Sequence, residues 1–203
     1  MSNDITRLDR ADTIAMYLSI AVAAIAIVLA GWGAVQRLAE VAPGHDIPVV
    51  VPLTGEQAAL PLGPDGAAIT VDVETATVVV ADPAPATLLA LWAQPIMRFL
   101  AMAAGMVVAA LFFLRVARGR AFERGTASLV FIGAGVLAAA WFLDWLLAAM
   151  TVNGALSAVS DFTYESVTFT ADMSPFILIL VLGAVGGALQ LGERLRRETE
   201  GLV

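Results

Sequence analysis

The chain has no cysteine, no lysine, a single histidine and few charges of either sign. Without cysteine there is no disulfide, no thiolate metal site and no thiol redox chemistry. Any part outside a membrane must therefore hold together by packing and strand pairing. A lone histidine is no metal site, and His45 sits in a stretch rich in Pro and Gly. Charged residues are 14% of the 203, against about 25% in soluble globular domains. All eleven basic residues are arginine, which together with the heavy Ala and Val content reads as genomic base composition rather than function. No base stands near a nucleophile in a readable spacing, and there is no Gly-rich phosphate loop. No enzymatic activity and no cofactor are expected.

What is abundant is apolar sequence. Hydrophobic residues make up 60% of the chain, against about 45–50% in soluble domains, which places it among integral membrane proteins. Roughly 20 helical residues cross about 30 Å of hydrocarbon. Four runs suffice, at 13–36, 95–117, 127–150 and 173–191. The first is too long for the apolar region of a signal peptide, about 7–15 residues, and Gly31-Trp32-Gly33 is a poor cleavage site. It is expected to be retained as a span, with Trp32 near the outer interface. Pro95 is expected to open the second span, and Ser174-Pro175 the fourth, since a helix's first turn has no use for the missing N–H.

The charges sort between these runs. The break at 118–126 and the three residues before it hold Arg115, Arg118, Arg120 and Arg124 against one acid, Glu123. The tail at 192–203 holds Arg194, Arg196 and Arg197 with Glu193, Glu198 and Glu200. The N-terminal 1–12 is mixed in sign. Short Arg-rich loops stay on the cytoplasmic side. Between Leu38 and Gln94, and again over 151–172, there are acids but no arginine. The expected location is the cell membrane, multi-pass, with both termini and the break cytoplasmic and the segments 37–94 and 151–172 outside.

The outer segments carry strand signals. The stretch 47–53 is β-branched but broken by Pro48 and Pro52, which suits an edge strand. Residues 68–73 and 76–81 alternate, with Glu74-Thr75 between them expected as a tight turn. Two strands are marginal in water, so a third is needed. The stretch 162–170, dense in aromatic and β-branched residues, is the expected partner. The expected fold is thus an integral membrane α-helical protein: a four-transmembrane-helix bundle with a small extracytoplasmic antiparallel β module built from both outer loops.

Helices in a bilayer associate through close packing at small residues. Gly183 with Gly187 on the fourth span, Gly105 on the second and Gly135 on the third fit either an internal bundle or a homodimer face, the bundle being favoured. Asp144 lies in the third span, and Arg98 at a similar depth in the second. Such a carboxylate costs at least about 2.5 kcal/mol at the membrane centre and usually faces a partner or a water path. A structural ion pair is favoured over a proton or ion relay, because no deeper ionisable group continues the path. Asp72 and Glu74, two apart, share one strand face. A solvated face explains them better than a cation site, since Ca²⁺ takes about six to eight oxygens. In the tail, Arg194 with Glu198 and Arg196 with Glu200 are spaced to support a helix. The tail arginines either anchor the helix end at anionic headgroups or dock a soluble protein.

Gly119-Arg-Ala-Phe122, a span opening Leu129-Val-Phe-Ile-Gly133, and the ending Leu189-Gln-Leu-Gly-Glu-Arg-Leu-Arg-Arg-Glu-Thr-Glu-Gly-Leu-Val203 together resemble the DUF2975 group of prokaryotic four-span membrane proteins. Ala121 stands where that group commonly has Pro, and Glu200-Gly201 departs from its usual ending. The resemblance covers the C-terminal half; 38–94 agrees only in layout. The group has no established activity. Its members often look like partners of small helix-turn-helix regulators, which implies the break and the tail as the contact surfaces. The function expected is a non-enzymatic membrane protein that senses or tethers a small cytoplasmic regulator, touching lipid or partner through Arg118, Arg120, Arg124, Arg194, Arg196 and Arg197, with no direct contact to nucleic acid. A small transporter or channel using Asp144, or an accessory subunit of a membrane complex, are the alternatives.

Overall fold

The computed structural model describes residues 10–123, 125–163 and 173–200. It is mostly helical, with four long helices: α1 (Arg10–Val41), α2 (Pro85–Ala117), α3 (Thr126–Val159) and α4 (Ser174–Glu200). Between α1 and α2 come two strands, β1 (Ile47–Leu60) and β2 (Ile69–Val80), paired antiparallel. All four helices contain stretches long and apolar enough to cross a membrane. At 1.5 Å per residue, the 34 residues of α3 measure about 50 Å, well beyond the roughly 30 Å of hydrocarbon. Helix ends and span ends are therefore different boundaries.

The chain falls into two compact units. The helical unit comprises Met1–Val35, Ile96–Asp144 and Asp172–Val203; the strand unit comprises Gln36–Pro95 and Trp145–Ala171.

The strand unit has a buried apolar core. Ile47, Val49 and Val51 of β1 alternate inward, while Val50 between them is exposed. Val80 is buried on the facing strand, with Val78 and Ala76 packed against the same core. Helical residues complete it: Val41 from α1, Leu91 from α2, and Ala155 and Leu156 from α3. The period of two in β1 and the spacing of Thr87, Ala90 and Leu91 in α2 each put one face inside. The Arg37 guanidinium donates to the Pro48 carbonyl at 2.9 Å and pairs with Glu40 at 2.7 Å, tying the end of α1 to the start of β1.

Three expectations about this unit are corrected. First, Glu74-Thr75 is not a turn. Both lie inside β2, with Thr75 opposite Pro52. The chain reverses instead over Pro61–Ala68, where Asp65 and Gly66 take positive φ and Gly63 N–H donates to the Ala67 carbonyl at 2.9 Å. Pro-Asp-Gly is the stronger turn chemistry, and it wins. Second, β1 continues past Leu53 to Leu60 through an irregularity between Pro52 and Glu56, where three residues oppose one. Gly55, at φ 84°, supplies the left-handed residue such a bulge needs. Third, α2 opens at Pro85, not Pro95. Pro95 is inside the helix and buried, so the Leu91 carbonyl lacks its helical N–H partner. The segment before it, Thr-Leu-Leu-Ala-Leu-Trp, is made mostly of good helix formers, and its buried face outweighs the one lost bond.

The strand expected over 162–170 lies, from Tyr164 onward, outside the described residues. Its first residue is not extended: Phe162 has φ 62° and is exposed in the turn that ends α3. Among the described residues the sheet has two strands. Asp72 and Glu74 are exposed, as expected of a solvated face, and Asp72 accepts from Gln57 at 2.9 Å across the ladder.

The helical unit is the opposite case. Its large apolar side chains point outward: Val28 is 70% exposed and Ile177 64%. The packing glycines are not those the spacing suggested. A Cβ at Gly105, Gly135, Gly183 or Gly187 would meet nothing within 4 Å. The close approaches are at neighbouring glycines. A Cβ at Gly133 would lie 2.7 Å from Val108, one at Gly186 3.1 Å from the Phe131 ring, and one at Gly31 3.3 Å from Phe99. Within the chain the small-x-x-x-small glycines therefore do not make the close packing, because an Ala-rich helix carries that spacing on several faces at once; a homodimer face is left untouched by this.

Candidate functional site

The Arg-rich end of the helical unit is built from the C-terminus of α2, the start of α3 and the last turns of α4. Helix α2 stops because Gly119 takes φ 70°. Gly119 N–H donates to the Val116 carbonyl at 2.9 Å, and Arg120 N–H to the Arg115 carbonyl at 2.8 Å. These two bonds form a Schellman cap and satisfy two carbonyls that the helix end would otherwise orphan. The break is therefore an ordered turn.

Helix α3 starts at Thr126, which is fully buried. Its hydroxyl accepts from the Arg115 guanidinium at 3.1 Å, joining the end of α2 to the start of α3. The next backbone N–H, of Ala127, donates to the Glu193 carboxylate of α4 at 3.0 Å. A carboxylate from a distant helix thus caps the positive end of α3, where negative charge is favoured. Below this polar layer Ala127, Val130 and Leu189 are buried together, with Phe112 and Leu182 against them. Gly192 lets α4 pass under the Phe122 ring, where a Cβ would be 2.7 Å away.

The arginines of this end have different surroundings. Arg118 is exposed, with no partner among the described residues. Arg120 pairs with Glu123 at 2.7 Å, and that hydrogen bond, helped by the carboxylate's charge, raises its pKa above an already high ordinary value. Arg194 pairs with Glu198 at 3.1 Å, the i,i+4 pair expected of a helical tail. Arg197 donates from Nε to the Glu193 carbonyl at 3.2 Å. Arg196 is on α4, and Arg124 lies outside the described residues. Two clefts flank Arg197. One, of about 350 Å³, lies against Ser128, Phe131, Gln190 and Glu193; the other, of about 390 Å³, lies against Gly187, Gln190, Leu191 and Arg194. The arginines are legible in the sequence, whereas the first cleft needs α3 and α4 side by side.

The second candidate is Arg98 with Asp144. The guanidinium donates from Nε to Oδ1 at 2.5 Å and from Nη2 to Oδ2 at 3.1 Å. This two-pronged geometry joins α2 to α3 and engages both carboxylate oxygens. The side chains are 59% and 32% exposed, so in the isolated chain the pair opens outward. His45 contacts only the adjacent Asp46, at 3.1 Å, and no cluster of metal-ligating side chains occurs among the described residues.

Compared with protein-family models, with curated proteins and with solved structures, the chain matches none.

Proposed function

We propose that this chain is a multi-pass protein of the cell membrane, without catalytic activity, that tethers a small soluble regulator at its Arg-rich end. In this reading the break, the tail and both termini are cytoplasmic, and the strand unit lies on the other side and senses conditions there. One observation carries the proposal: Arg118 and Arg120 are presented on a capped turn braced by Arg115 and Thr126, both exposed at the end of a helix pair, Arg120 paired with Glu123 and Arg118 with no partner among the described residues. A regulator with an acidic patch is the partner such a surface fits. The likeness of residues 119–122 and 189–203 to the DUF2975 group points the same way. The two-pronged hold of Arg98 on Asp144 favours a structural pair over a transport path, because a relay carboxylate must be free to exchange its proton.

The test is a pull-down from a native membrane extract with Arg118→Ala, Arg120→Ala and Arg124→Ala combined. Partners held by wild type should be lost. Unchanged partners refute the tether. Labelling the same loop with an impermeant reagent on intact cells checks the orientation; reaction there reverses it.

A further inference from the structure

We propose that the two clefts flanking Arg197 together hold the headgroup and upper acyl chains of one anionic phospholipid. The inference rests on the membrane-spanning reading but not on the tether, which uses other arginines.

The argument starts from α4. Gly187, Leu191, Arg194 and Arg197 follow one another at helical spacing along one stripe. Apolar residues come first and cations last. From Leu191 to Arg197 the rise is about 9 Å. Over 174–192 α4 carries no charged residue, and its charges begin at Glu193 and Arg194. The clefts therefore sit at the level where hydrocarbon gives way to headgroups. Gln190 and Arg197 line both of them, so they share a polar wall. Phe131 lines one and Leu191 the other, giving each an apolar floor.

The chemistry of that wall selects an anion. Arg197 uses Nε on the Glu193 carbonyl, and its terminal Nη groups have no partner among the described residues. A guanidinium in this state is suited to two phosphate oxygens. Arg194 is held only by an exposed pair with Glu198, which is worth little and is readily exchanged. Gln190 adds an amide donor. The one acid in the wall, Glu193, is engaged by the Ala127 N–H, so that N–H is already capped and is not a donor to the anion. A soluble acidic segment would use the arginines but leave Phe131 and Leu191 uncovered; a lipid satisfies both ends of each cleft.

The experiment uses the delipidated full chain in detergent, titrated with phosphatidylglycerol or with phosphatidylcholine of the same acyl chains and followed by native mass spectrometry. Wild type should prefer phosphatidylglycerol. Each tail arginine is expected to carry about fivefold of that preference. Arg197→Gln should lose that factor, Arg197→Lys should keep most of it, and Arg194→Gln with Arg197→Gln should lose about twenty-five-fold. If the double variant does not survive purification, the contrast between Arg197→Gln and Arg197→Lys decides. Equal binding of the two lipids, or a preference that survives in the double variant, overturns the proposal. So does competition at equal concentration by inorganic phosphate, which makes the site one for a free anion, or by an acidic peptide, which makes it a protein-docking surface. The pull-down above keeps its outcome in every case, since Arg118, Arg120 and Arg124 are untouched.

Discussion

The two units bury their apolar residues by opposite rules. In the strand unit Ile47 and Val51 are completely enclosed by neighbours from β2 and three helices. In the helical unit side chains of the same kind, such as Val28 and Ile177, are largely bare. A soluble domain cannot leave so many large apolar groups in water, because each contiguous patch would drive association. The helical unit makes sense with hydrocarbon as its solvent, where Leu gains nothing from being inside and helices meet at small residues and polar ties. The strand unit follows the rules of a small aqueous domain. One chain thus carries two stability mechanisms, and substitutions of equal chemistry should have unequal effects.

The sharpest contrast is Ile47→Ala against Ile177→Ala. The first empties an enclosed site and should cost about 2–5 kcal/mol. The second, exposed on α4, should cost less than about 0.5 kcal/mol. Thermal unfolding in detergent, read by proteolysis of the strand unit, measures both; equal costs would end the comparison. Next in size is Asp144→Ala, which removes a charge-assisted pair and should cost about 1.5–3 kcal/mol. Exchanging the two residues, Arg98→Asp with Asp144→Arg, should recover much of it. Failure of the exchange together with loss of an ion flux would turn the pair from a strut into a pathway. Gly133→Ala should cost about 1–3 kcal/mol by forcing Val108 away, while Gly135→Ala, two residues along, should be neutral or slightly stabilising. Smallest is Gln57→Ala, which deletes an exposed cross-strand bond to Asp72 and should stay within about 0.5 kcal/mol. A large loss there would mean that the outer face of the sheet is covered after all.

This comparison explains what the sequence could disclose. Hydropathy marks the four helices because span length is a sum over residues and needs no geometry. The pairing of Arg98 with Asp144 was legible for a related reason: two opposite charges at one depth in adjacent spans have few other partners. The strand ladder was half legible. Ile47, Val49 and Val51 announce a strand by alternation, but the turn was misplaced because β2 is uniformly strand-like, so its middle, Glu74-Thr75, resembled a break only by being polar. Helix extensions were missed at Pro85–Gln94 and Thr151–Val159 because Pro95 and Thr151 look like boundaries when read singly. Their buried faces emerge only when strand and helix are placed together. The close-packed glycines and the first Arg197 cleft were illegible, since both depend on the rotation of one helix against another.

The Glu193 contact to Ala127 has a consequence for biogenesis. The carboxylate that completes the first turn of α3 belongs to α4, which is synthesised after it, 66 residues later. Until that segment leaves the ribosome and packs beside α3, the third helix begins with a bare peptide N–H. Synthesis of α4 therefore also locks the entrance of a helix made earlier, and truncation before Glu193 would leave that entrance unlatched however well the first three helices had formed.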